Sequence, residues 1–294
     1  MKVEDSFKVV QGTITGKYHL SIGKNNQDAS QVRYGNGVVA VVCDGCGSSE
    51  HSEVGAQLGA HLIAEKLITL NTDVIEEDPE NPIEFEMELD NIKSSIVWKI
   101  MEIANAMKGS TFNIIQDYFL FTCIAAIIRE KYTTIISIGD GTVAVNGDVK
   151  RLGPFENNAP PYIAYNAIKE CVKLNDDCGF KIVKIVPTSE VETILIGTDG
   201  LDDLEDAENK KIPGKDEMVG PLSQFWKNDL YFRNPHAINR RLTLINRTHI
   251  KLDKYGQGIR REMGHLRDDT TMIVIRREND DSISAGEETK PESD

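Results

Sequence analysis

Apolar residues fall into short dense runs separated by polar turns, with no long alternating stretch. Val38 to Cys43 is six apolar residues in a row, mostly β-branched, and predicts a strand covered on both faces. Tyr118 to Ile128 is a second continuous strand, and Thr133 to Ile138 pairs with it across the Arg129-Glu130-Lys131 turn. Gly35-Asn36-Gly37 and Asn146-Gly147 mark further hairpins, the latter inside Val143 to Leu152. A helix after Gly45 is expected from the stripe Val54, Leu58, His61-Leu62 and Leu67. It carries Gly55, Ala56, Gly59 and Ala60 for close packing, and Ser48 or Ser49 as its cap. A second helix spans roughly Glu86 to Met107, where Ile92, Ile96, Ile100, Ile103 and Met107 recur at helical spacing. Gly153 to Phe180, with three prolines, reads as a long irregular loop. In the polar region 201 to 265, Pro235 to Arg247 mixes Arg240, Arg241 and Arg247 with apolar residues, as in a solvated or partner-facing helix. Helices followed by hairpins predict helices outside a pair of antiparallel sheets.

Composition narrows the class. The 294 residues are 40% hydrophobic and 27% charged, enough for one large core or two small ones in a globular protein. No run approaches the ~18 apolar residues of a membrane span, and MKVEDSFKVVQG lacks the apolar core of a secretory signal. A cytoplasmic location is expected, and five cysteines without a paired framework fit a reducing compartment. The net charge of −14 is concentrated in Asp73 to Asp90, with nine acids and no Lys or Arg, and in the acidic tail from Glu278. The rest is near neutral and carries no basic stripe for nucleic acid. Cys43 and Cys46 have C-x-x-C spacing, but a zinc site needs a second such pair. His19, His51 and His61 lack any triad spacing and read as surface or packing residues.

Chemistry enters at the strand ends. Val38 to Cys43 runs into Asp44-Gly45, Thr133 to Ile138 into Gly139-Asp140-Gly141, and Glu192 to Gly197 into Thr198-Asp199-Gly200. Arg267-Asp268-Asp269-Thr270-Thr271 precedes the apolar run Met272 to Ile275, and Asn26-Gln27-Asp28 lies upstream of the first strand. One Asp-Gly pair is an ordinary turn. Three, each closing an apolar run, point to convergence, and clustered carboxylates suit Mg²⁺ or Mn²⁺ better than zinc.

In this order the motifs Asn26-Gln27-Asp28, Val42-Cys43-Asp44-Gly45, Ile138-Gly139-Asp140, Thr198-Asp199-Gly200 and Asp268-Asp269-Thr270-Thr271 resemble the metal-dependent Ser/Thr protein phosphatases of type 2C, closer to the bacterial members, over residues 10 to 277. The resemblance implies an α+β fold, a four-layer αββα sandwich with two central antiparallel sheets flanked by helices. It implies two divalent ions, Mn²⁺ or Mg²⁺, bridging a water that attacks phosphoserine or phosphothreonine. Asp44 would bridge both ions, the Gly45 carbonyl would bind one, Asp199 and Asp268 the other, with Asp28 in support and Asp140 on a weaker third ion. Gly23 stands where many members have a phosphate-holding Arg, which makes Lys24 the candidate phosphate contact, and Cys46 stands where eukaryotic members often have His. Residues 1–277 would form the catalytic domain, with a mobile flap at Gly153 to Phe180, and 278–294 a disordered tail. The expected partners are a phosphorylated protein substrate and a cognate Ser/Thr kinase, with no nucleic acid and no membrane, and the expected state is a monomer. The rival from another class is a catalytically weak phosphatase-like binding or regulatory module. Cys46, where a second Asp is needed, argues against a haloacid-dehalogenase site, and Glu50, where a third glycine is needed, against a dinucleotide loop.

Overall fold

The computed structural model describes residues 3–71, 75, 79–168, 178–252 and 258–278. One five-stranded antiparallel sheet runs in the order β2 (Asp28–Gly35), β3 (Gly37–Gly45), β4 (Phe121–Ile128), β5 (Tyr132–Ile138), β8 (Lys181–Pro187). The other runs β1 (Phe7–Ile14), β12 (Thr270–Arg277), β9 (Thr193–Gly197), β6 (Gly141–Val145), β7 (Asp148–Leu152). A small ribbon, β10 (His249–Leu252) with β11 (Ile259–Glu262), stands apart.

Strand alternation sorts one chain into two cores. In β3, Val38, Ala40 and Val42 enter the cluster between the sheets, against Ile124, Ile194, Ile196 and Ile273. Val39, Val41 and Cys43 point the other way, into a cluster completed by α2 (Ser52–Thr69) and α3 (Ile83–Ala106). On the second sheet Leu195, Met272 and Val274 pack outward against Phe225, Ile238 and Leu242. The last two belong to α8 (Ala237–Asn246), the last of the helices numbered in chain order after α4 (Thr111–Tyr118), α5 (Leu201–Asp206), α6 (Gln224–Lys227) and α7 (Asp229–Arg233). The result is the expected helix, sheet, sheet, helix sandwich. No helix among the described residues is long and apolar enough to cross a membrane.

Several local expectations need correction. The strand expected from Tyr118 begins at Phe121, because Tyr118 closes α4. Neither Ser48 nor Ser49 caps α2: His51 holds the N-cap position, and Ser49 Oγ instead donates to Gln116 O at 2.6 Å. The buried face of α2 is Ala56, Ala60, Ile63, Ala64 and Leu67, with Val54 exposed, since the small residues let the helix lie close on the sheet. Arg241 and Arg247 do not simply face solvent or a partner: they donate to Val219 O and Pro213 O at 2.9 Å each and pin neighbouring loops. The Asn146-Gly147 hairpin forms as expected, with both residues at the positive φ that a two-residue turn demands. In the irregular region after Leu152 there are short 3₁₀ turns at Glu156–Asn158 and Ile163–Ala167, and residues 169–177 of the expected flap lie outside the described residues. Of the expected tail, Glu278 is tied to the body through its N–H to Ser6 O at 2.9 Å and an ion pair with Lys8, and 279–294 lie outside the described residues.

Candidate metal centre and active site

Asp44 leaves β3 directly opposite Asp28 on β2, so strand pairing alone brings two carboxylates together. Asp140 sits at the turn between β5 and β6, Asp199 follows β9, and Asp268 precedes β12. These strands come from both sheets and end on the same side. Asp44, Asp140, Asp199 and Asp268 therefore line one pocket of about 290 Å³. Asp28 lies beneath them, buried.

The electrostatics are those of unneutralised like charge. Burial, then the charges of Asp28, Asp199 and Asp268, push the Asp44 carboxyl far above the usual carboxylate range. Asp199 is pushed to about 6 by burial and then by Asp268. Burial also raises Asp140 and Asp268. Asp28 is raised by burial and by Asp269, although the Thr198 hydroxyl donates to its Oδ2 at 2.8 Å. Its other oxygen, Oδ1, is buried without a hydrogen-bond partner. No Lys or Arg lines the pocket among the described residues. Four converging carboxylates, an orphaned carboxylate oxygen on Asp28 and no Lys or Arg in the lining among the described residues fit hard divalent ions.

Sequence reading missed the frame that holds Asp268. Asp269 is buried and accepts from Gly16 N at 2.7 Å and Gln27 N at 2.6 Å, while its Oδ2 lies 2.9 Å from His19 Nδ1. Of the surface or packing role expected of it, His19 takes the packing one, buried against Asp269, and it also lines the pocket. His19, Asp268 and Asp269 bring ligand atoms within 4.8 Å of one another, but His19 and Asp269 already engage each other, whereas Asp268 Oδ1 accepts from the Asp269 backbone N–H at 2.8 Å. Asp203 of α5 completes the frame by accepting from the backbone N–H of Arg267 and of Asp268, the latter at 3.1 Å. Asp269 was visible inside its motif; nothing in the sequence marked its partner, His19.

Lys24 is not a wall of the pocket. Its Nζ donates to Gly47 O at 2.8 Å and Ser49 O at 2.6 Å, so it fixes the loop after Gly45. Cys46 is a wall, with Sγ 3.2 Å from Ser48 Oγ. Burial pushes its thiol up, but hydrogen bonds from Ser48, Tyr162 and Ser49 outweigh this and lower it. Tyr162, another wall, arrives from the irregular loop after β7, within which no sequence signal singled it out.

The family model for protein phosphatase 2C matches residues 15–230, most of the chain. The chain belongs to the protein phosphatase 2C family. It is accordingly a protein serine/threonine phosphatase. Asp28, Asp44, Asp140 and Asp199 fall inside the matched residues; Asp268 lies beyond them and is brought to the same pocket by β12. Solved structures share the fold. The serine/threonine phosphatase Stp1 from Staphylococcus aureus is 17% identical, with 95% of this chain and 98% of that one covered and a TM-score of 0.51. A serine-threonine phosphatase 2C from Toxoplasma gondii is 12% identical, with 92% and 95% covered and a TM-score of 0.56. A bacterial serine phosphatase carrying a substitution is 18% identical, with 92% and 98% covered and a TM-score of 0.50. No curated protein matches the chain in sequence.

Proposed function

We propose that this phosphatase hydrolyses phosphoserine and phosphothreonine in protein substrates with Mn²⁺ or Mg²⁺ held at the carboxylate pocket. The observation that carries the reading is the convergence of Asp44, Asp140, Asp199 and Asp268 in a pocket without Lys or Arg among the described residues. Asp44, Asp199, Asp268 and the Gly45 carbonyl would hold two ions, with Asp28 behind them and Asp140 available to a third. Once bound, the ions supply a water nucleophile at neutral pH and neutralise the phosphoryl oxygens, so no covalent phosphoenzyme is required.

The remaining roles belong to the chain. Asp28, oriented by Thr198, pairs with Asp44 across the strands and has one buried oxygen without a hydrogen-bond partner. Asp269, gripped by Gly16, Gln27 and His19, sets the position of Asp268. Lys24 acts through the Gly47 to Ser49 loop, and with two N–H groups already donated a direct grip on phosphate is its lesser part. Cys46 and Tyr162 complete the pocket wall beside the carboxylates.

The test is turnover of p-nitrophenyl phosphate and of a phosphothreonine peptide with Mn²⁺. Wild type turns over both, and Asp44→Ala loses activity by about a thousandfold or more while keeping its fold. Wild-type activity in Asp44→Ala would overturn the site, and an inert wild type would favour a binding module.

A further inference from the structure

A second cavity of about 610 Å³ adjoins the pocket and shares His19, Gly47 and Asp268 with it. Its other walls are Lys17, Tyr18 and Ser21 of α1 (Lys17–Ile22) together with Met263 and Arg267. Tyr18 and Met263 are 62% and 54% exposed, so large apolar surface stands open beside a pocket of carboxylates. Among the described residues two cations, Lys17 and Arg267, line this cavity, whereas no Lys or Arg lines the pocket. Lys17 Nζ spends a donor on Gly264 O at 3.0 Å, and the Arg267 side chain is 72% exposed, with Nε 3.8 Å from Asp203 Oδ1.

We propose that this groove binds the residues flanking the phosphorylated side chain of the substrate and selects a large apolar side chain at one of them. The inference rests on the phosphatase reading above. Three observations commit the groove to a phosphopeptide. Shared walls put it within reach of a residue one or two positions from the phosphorylated one, since an extended chain advances ~3.3–3.6 Å per residue. The volume exceeds what one side chain fills, which suits a short stretch of peptide. Lys17 and Arg267 draw an anionic peptide toward a mouth that its acids would otherwise make repulsive. The Tyr18 ring and the Met263 thioether supply the adaptable apolar wall.

The test uses phosphothreonine peptides that differ only in carrying Leu or Ser at each position from two before to two after the phosphothreonine. With Mn²⁺, kcat/KM of the wild type rises about tenfold or more with Leu at one of these positions. In a Tyr18→Ser, Met263→Ser variant the preference vanishes, while turnover of p-nitrophenyl phosphate stays at the wild-type level. Both residues are exposed, so the core is untouched. Equal rates for Leu and Ser peptides in the wild type, or a preference that survives in the variant, overturns the groove. Loss of p-nitrophenyl phosphate turnover from the wild type overturns the phosphatase reading instead. The groove is then judged by fluorescence anisotropy of the same peptides, where Leu-selective binding that the double variant loses supports it and unselective binding overturns it.

Discussion

At the scale of single residues, adjacent aspartates in one motif do opposite things. Asp268 points into a cluster of like charges, whereas Asp269 is a buried acceptor with protein donors on both oxygens. Stability should separate the two kinds. Asp44→Ala removes a repulsive charge, so the metal-free variant melts at or above the wild type. Asp269→Ala strands the N–H groups of Gly16 and Gln27 and costs about 2 kcal/mol or more, lowering Tm by several degrees. Thermal melts of both after EDTA treatment check this, and equal losses would mean that the distinction is wrong. The pH dependence follows from the same cluster. Asp199 moves from an ordinary 3.8 to about 6 on folding, and Asp44 moves up as well, so between those values the native state holds protons that the unfolded chain has released. The Asp199 contribution is fully present below about pH 4 and is lost as pH rises through about 6, and the raised Asp44 carboxyl acts in the same direction. Metal-free protein should therefore lose melting temperature from pH 4.5 toward 7 on account of these groups, and millimolar Mn²⁺ should flatten the curve while raising it. Parallel curves with and without Mn²⁺ would contradict the cluster.

At the scale of elements, α2 shows how packing overrides a hydrophobic stripe. A Cβ at Gly59 would stand 2.3 Å from the Phe121 ring, so the helix seats on β4 only because that position has no side chain. Gly59→Val should destabilise by about 2 kcal/mol through overpacking, and Phe121→Leu should restore part of the loss in the double variant. Denaturant melts of the three variants measure it, and strictly additive losses would deny the contact. The misassigned start of β4 has a related cause. Periodicity cannot tell a short apolar helix end from the strand it enters, so by pattern Tyr118 reads as part of the run that begins at Phe121.

At the scale of the whole molecule, the first and last described strands are partners. β1 pairs with β12 along its full length, from Phe7 opposite Arg277 to Ile14 opposite Thr270, and Glu278 extends the contact to Ser6. The body is closed by that pair, so a chain ending at Glu278 should keep the activity and Tm of the full chain. Activity on p-nitrophenyl phosphate and a melt check this, and a loss of either would assign the acidic tail a role in the body. Dense β-branched runs, Asp-Gly endings and Asn-Gly turns are local, so the sequence by itself marked the strands that end at the site, the αββα layering and the clustered carboxylates, but not β8, β10 or β11. The grip of His19, Gly16 and Gln27 on Asp269, the diversion of Lys24 into the Gly47 to Ser49 loop and the apolar groove beside the pocket were decided by tertiary structure alone. Each joins groups from segments whose spacing carries no period, and a contact between distant segments is fixed by how the two sheets stack rather than by either segment's own preference.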